Sequence, residues 1–273
     1  MRANPQHSPS NNLSKAEMEP ARTRWRFATS WATSEAEVRA AQRLRYAIFA
    51  GEMGARLMVP PDTGPGCDAD RFDEYCDHLL VHIVDLLCEE PAQLVGTYRV
   101  LSPDGARRAG GYYSESEFDL APLEPLCRSA VELGRACVDA KWRSGGVIMA
   151  LWNELGSYMF RHRLDTMFGC ASISVTDGGM LARRIWCHVS TNNLAAPQWR
   201  VRPLHTLDQL DEAAEVELRL SEMPPLLKGY LRCGAKVLGR PSLDPHFNTA
   251  DLPIMLRLDE LAARYRKHFL KPK

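Results

Sequence analysis

The strongest constraint on this chain is a change of hydrophobic period at one place. Residues 131–138 read as a strand. Arg143, Ser144, Gly145 and Gly146 follow, and then Val147, Leu151, Leu155, Tyr158 and Met159 recur at helical spacing. A strand that passes through a glycine loop into an amphipathic helix excludes a helical bundle and calls for an α/β or α+β sheet with helices packed on it. Backbone N–H groups at such a helix start can also receive a phosphate, and glycines let the ligand approach closely. Gly-Gly at a strand-to-helix turn serves geometry alone equally well, and this loop is neither a Walker loop nor a full dinucleotide fingerprint.

The remaining elements fit the same class. Residues 34–53 place Val38, Ala41, Leu44, Ile48 and Phe49 near one face, with Ser34 and Glu37 as a capping box. Residues 57–71 carry three prolines and two glycines and form a long loop, the kind that is often functional. Residues 78–87 and 94–101 make an antiparallel hairpin across the short 88–93 connection. Residues 102–126 are irregular, 166–173 form another strand, and 177–189 another helix. Beyond Trp199 come an acidic helix at 207–220, a short apolar segment at 226–231, a last strand at 251–258 and a basic tail. The expected division is a disordered tail at 1–28, a core at 29–200 and an extension at 201–273 packed on it.

Composition then removes whole classes of function. Lysine plus arginine and aspartate plus glutamate each number 34, so no overall field draws the protein to nucleic acid. The eight cysteines stand singly with no secretory segment before them, which predicts free thiols in a reducing cytoplasm. No run approaches the roughly 20 apolar residues that a membrane helix needs.

Three groups of polar residues carry candidate chemistry. Glu132 and Gly134 share a face of their strand, with Arg135 beside them, and charges among Val131, Leu133 and Val138 are costly unless paired or open to a cleft. A structural ion pair is the plainer reading. Asp68, Asp70, Asp73, Glu74 and Asp77 cluster around Phe72 without EF-hand spacing, so no metal is assigned; solvated loop charge and recognition of a cationic substrate stay open. His78 and His82 read as core or hydrogen-bonded histidines, without a third ligand at metal spacing.

Several stretches in fixed order add to this. Arg45 to Phe49 with Glu52 to Ala55, Phe72 to Val81, Val95 to Arg99, Tyr113 to Leu120, Glu132 to Val138, Phe168 to Ser172, Pro224 to Arg232 and Phe247 to Asp251 together resemble the ornithine N-acyltransferases of bacterial ornithine-lipid synthesis. The similarity runs from about Thr29 to Tyr265. More distantly the chain resembles the acyl-homoserine-lactone synthases, which lack an extension such as residues 199–273. The resemblance implies a GNAT-like mixed β-sheet with flanking helices, splayed between its fourth and fifth strands, here 131–138 and 166–173.

It also implies a reaction: a 3-hydroxyacyl chain moves from acyl carrier protein to the α-amine of ornithine. The acyl-phosphopantetheine is then a donor substrate, and no cofactor is needed. Residue by residue, the implied catalytic groups are Glu132, Asp73 and Arg135, with Glu132 as base. Arg45, Phe49, Asp70, Arg99 and Phe118 would bind substrate, with Arg99 or Arg135 on its carboxylate and Asp70 or Asp73 on its δ-ammonium. Cys137, Val138, Arg143, Gly145 and Gly146 would hold the acyl-pantetheine, the backbone near Cys137 or Val138 receiving the oxyanion. The loop is a degenerate form of the superfamily's, and helix 177–189 has no tyrosine to protonate the thiolate, leaving Cys187, His188 or water. Carrier-protein docking points to Arg161, Arg163, Arg183 and Arg184. Peripheral contact with the inner membrane points to Leu226, Leu227, Tyr230 and Leu231 with the tail, although a buried amphipathic helix explains the same residues. An acyltransferase for another amine and a non-catalytic carrier-binding module are the competing expectations.

Overall fold

The computed structural model describes residues 25–86, 92–207, 218–262 and 265. A main sheet is built from β1 (Trp25–Trp31), β2 (Asp77–Asp85), β3 (Gln93–Leu101), β5 (Ala130–Val138), β6 (Thr166–Ser174), β10 (Thr249–Arg257) and β8 (Lys236–Val237), in that spatial order. The short β9 (Ser242–Asp244) pairs with β10, and β4 (Phe118–Asp119) pairs with β7 (Arg202–Pro203) as a separate ribbon. The helices are α1 (Glu35–Tyr46), α2 (Pro103–Ala109), α3 (Gly146–Arg161), α4 (Met180–Asn192) and α5 (Pro225–Cys233).

Local chemistry explains the element boundaries. Ser34 Oγ accepts from the Glu37 N–H at 3.3 Å, and Glu37 Oε2 accepts from the Ser34 N–H at 3.1 Å, so the expected capping box starts α1. The single helix expected through residue 53 instead changes at Ala47–Glu52 into a π-helical turn, which widens the backbone and swings Phe49 and Met53 toward the sheet. β1 begins at Trp25, ahead of the boundary drawn at residue 28, because it pairs in full register with β2 from Trp25↔Asp85 to Trp31↔Leu79. Within the stretch expected to be irregular, Ser102 Oγ caps a short α2 that closes on Gly110 at φ 79°. The acidic helix placed at 207–220 and the basic tail fall largely outside the described residues.

The core lies on both faces of the sheet. Val147, Leu151, Leu155, Tyr158 and Met159 of α3 are buried against Leu79, Val81, Val95 and Tyr98, as their spacing predicts. α4 and α5 cover the other end, where Ile185, Val189 and Leu227 meet Ile173 and Leu252. β10 runs antiparallel to β6 over its whole length, with eight of its nine residues buried, as expected for an internal strand. The extension therefore supplies an interior strand of the sheet, β10, and its edge, a closer union than packing on a finished core.

Two breaks in the ladder create the site. β5 and β6 are parallel, but only Ala130–Leu133 pair with Thr166–Gly169. Both strands continue, β5 to Val138 and β6 to Ser174, so the sheet splays where the resemblance expected it. On the other edge of β5, Thr97↔Cys137 and Arg99↔Gly134 enclose an extra residue on β5. This is a bulge at Arg135–Ala136, and Arg135 takes φ 51°.

Candidate active site

An ion lattice stands on the α1 side of the splay. Arg45 pairs with Asp68 at 2.9 Å and Asp73 at 2.7 Å, Arg99 with Asp70 at 2.7 Å and Asp73 at 3.2 Å, and Arg135 with Asp68 at 3.3 Å and Asp70 at 3.2 Å. Three arginines thus balance three aspartates. The long loop expected to be functional places Asp68 and Asp70, while α1, β3 and the bulge supply the cations. Burial opposes the charge on Asp73, but Arg45 and then Arg99 outweigh it and hold the carboxyl well below its usual range. Gln42 Nε2 and the Asp70 N–H also donate to Asp73, and His78 Nε2 meets its carbonyl at 3.0 Å. His78 is the buried, hydrogen-bonded histidine that the sequence suggests.

Across the bulge lies Glu132, only 4% exposed. Its Oε2 accepts from the Tyr113 N–H and its Oε1 from the Ser114 N–H, both at 2.7 Å. Burial raises its pKa, and the bonds from Ser114 and Tyr113 offset only part of that rise. Glu132 lines a cavity of about 60 Å³ together with Arg99, Ser114, Arg135, Cys170 and Asp251. This cavity adjoins a cleft of about 210 Å³ in the splay, walled by Phe49, Tyr98, Ala136, Ala171 and Leu226 among others. A third opening, about 500 Å³, reaches solvent past Asp70, Tyr113, Arg135 and Phe247.

The comparisons agree with this geometry. Residues 44–153 match the acetyltransferase (GNAT) domain model. The L-ornithine N(alpha)-acyltransferase of Brucella abortus is 39% identical over 248 residues, covering 87% of this chain and 86% of the relative. The L-ornithine N(alpha)-acyltransferase of Rhizobium meliloti is 38% identical over 253 residues, covering 88% and 83%. The chain belongs to the L-ornithine N(alpha)-acyltransferase family. It is an acyltransferase. Among solved structures, an N-acyl amino acid synthase from uncultured soil microbes shares the fold at a TM-score of 0.50 and 13% identity, covering 89% of this chain and 95% of that one.

Within this acyltransferase fold the sequence-derived residues divide. Glu132, Arg99, Arg135, Phe49 and Asp70 line the connected cavities. Arg45, at 1% exposure, lines none of these, because its guanidinium is spent on Asp68 and Asp73. Phe118, also at 1%, is a core residue packed with Phe168 and Met255, since the β4–β7 ribbon turns it inward rather than toward substrate. Asp73 is likewise enclosed by donors and lines none of these three cavities.

The donor-side residues also have local explanations. Cys137 and Val138 remain in register with Thr97 and Gly96; the ladder breaks earlier, at Arg135–Ala136. Arg143 Nε donates to the Val138 carbonyl at 2.9 Å and its Nη2 pairs with Glu52 at 2.6 Å, so it fastens the loop. Gly145 adopts φ 101°, and a Cβ on Gly146 would stand 2.6 Å from Phe27. Both glycines are therefore needed for shape, and they leave the start of α3 without a side-chain cap. Arg161 and Arg163 lie at the far end of α3, away from the splay mouth, whereas Arg183 and Arg184 begin α4 near it. Cys187 and His188 are absent from the linings of the cleft. The apolar residues of α5 face the core, with Leu227 at 1% exposure, which favours the buried-helix explanation of that segment.

Two acids were missed as site residues. Glu117 is 5% exposed and Asp251 6%, and a carboxylate oxygen of each lies with Cys170 Sγ inside 4.8 Å. An aspartate in the otherwise apolar run of β10 was the available signal.

Proposed function

We propose that the protein transfers a 3-hydroxyacyl chain from acyl carrier protein to the α-amine of L-ornithine, giving a lyso-ornithine lipid. The observation that carries this reading is the buried Glu132 at the closed end of the splay, its pKa raised and its two oxygens fixed by backbone donors. A carboxylate tuned upward in this way is suited to take a proton from an α-ammonium, which is no nucleophile until it loses one. The freed amine attacks the thioester carbonyl carbon, forming the C–N bond. The bulge at Arg135–Ala136 offers the backbone N–H for the resulting oxyanion, because it is where the ladder is interrupted beside the cleft. Collapse breaks the C–S bond, and the thiolate takes up a proton.

The donor enters from the open end of the splay. Its pantetheine arm lies between β5 and β6, and its phosphate faces the uncapped start of α3. The acyl tail points to an apolar opening of about 40 Å³ among Leu133, Trp152, Leu155, Phe168 and Tyr230, closed by the stacked Trp152 and Tyr230 rings at 5.4 Å. An acidic carrier protein would meet Arg183 on the first turns of α4, since Arg184 is already paired with Glu222 at 2.8 Å. No helix among the described residues is long and apolar enough to cross a membrane.

The test is thiol release and product mass with long-chain 3-hydroxyacyl carrier protein and a panel of amino acids. Ornithine-dependent release with the mass of the N-acyl product is expected, and Glu132→Gln should lower turnover at least about 100-fold. Release with a different amine replaces the substrate. No release with any amine removes the catalytic reading.

A further inference from the structure

The ion lattice leaves a charge imbalance. Arg45, Arg99 and Arg135 are matched by Asp68, Asp70 and Asp73, so Glu117 and Asp251 are surplus buried acids. Neither oxygen of Glu117 receives a hydrogen bond. Asp251 Oδ1 accepts from Thr249 Oγ1 at 2.9 Å. A third acid, Asp244 on β9, is near enough to raise the pKa of both, and Arg135 is the cation that opposes this. Asp251 also accepts from the Ser172 side chain, whereas Glu117 has no donor, and buried carboxylates side by side are strongly disfavoured as two charges unless they share a proton or a cation joins them. Asp251 lines both the small cavity that holds Glu132 and the larger cleft. Glu117 stands behind it, with Cys170 between the pair and Ser114, whose N–H holds Glu132.

We propose that Asp251, backed by Glu117, is the subsite for the side-chain ammonium of the acceptor amino acid. This rests on the ornithine reading and gives it a structural cause. A pair of acids sharing one proton carries one negative charge, which matches one alkylammonium. Ornithine separates its two nitrogens by roughly 6 Å when extended, from ordinary bond lengths. Glu132 and Asp251 line the same small cavity, so the α-amine and the δ-ammonium of one ornithine would face them within one connected space. Asp70 and Asp73, the acids first expected in this role, are already neutralised by arginines.

The test uses the full-length enzyme without donor, so that it is independent of the acyl source. Calorimetric binding of ornithine is compared with norvaline, which lacks only the δ-ammonium, and the same pair is then run as acceptors in the transfer assay. Wild type should favour ornithine by at least about tenfold, the range of a charge-assisted hydrogen bond. Asp251→Asn should bring the two ligands to near equality, through Kd and KM for ornithine. If Asp251→Asn does not fold, Asp251→Ser carries the test, because it also removes the charge while leaving room for water beside Thr249. A preference for ornithine retained in the folded variants would overturn the subsite alone. A wild type without that preference would overturn the substrate reading and the subsite with it. Stoichiometric zinc binding that is lost in Glu117→Gln would also overturn the proposal.

Discussion

Asp73 and Glu132 are both buried carboxylates, yet their surroundings drive them in opposite directions. Asp73 is held by Arg45 and Arg99 in its charged form, whereas burial of Glu132 is only partly offset by two backbone donors. The first is therefore suited to structure and the second to proton transfer. Asp73→Asn should lower stability by about 3 kcal/mol at neutral pH, since it leaves Arg45 without its strongest partner. A depressed carboxyl contributes stability above its unfolded pKa and loses it as pH falls toward the folded value. The gap between wild type and Asp73→Asn in urea denaturation should accordingly shrink as the pH is taken below the ordinary aspartate range. Glu117, shifted upward, has the opposite sign: its stabilising protonation is lost as pH rises. Glu132 could be singled out from the chain because a charge inside an apolar strand demands a reason. That Asp73 would be saturated could not, because Arg99 and Gln42 approach it from elements distant in sequence.

At the scale of elements, the site depends on where β5 and β6 stop pairing. Leu133↔Gly169 is the last register pair, and a side chain on Gly169 would collide with the Leu133 carbonyl. Gly169→Ala should therefore pry the strands apart at the base of the splay. A loss of about 1–3 kcal/mol in urea or thermal unfolding is expected, the range for overpacking a close contact; unchanged stability would show that the strands have slack there. The strand, the glycine loop and α3 were legible because hydrophobic period and loop chemistry are local properties. The bulge was not: an extra residue on β5 has meaning only against the register of β3, and no residue type announces it. Phe118 was misjudged for a related reason, since the β4–β7 pairing that turns it inward joins segments far apart in the chain.

For the molecule as a whole, the extension is part of the sheet. β10 covers all of β6, and Asp251 on it faces the same cavity as Glu132 on β5. A chain ending after Trp199 should fail to give a cooperative unfolding transition, because it exposes an edge of buried apolar residues and the ladder of β6; a folded, cooperative fragment would show the extension to be separable. The sequence by itself determined the fold class, the family, the capped first helix, the glycine loop and a carboxylate candidate, since these rest on period, turn chemistry and ordered motifs carried by neighbouring residues. Tertiary structure alone decided which charges remain free. Arg45, Asp68, Asp70, Asp73, Arg99 and Arg135 neutralise one another only after the long loop folds against α1, β3 and β5, and the acids outside that lattice, Glu132, Asp244 and the Glu117–Asp251 pair, are what a cationic amino acid can meet.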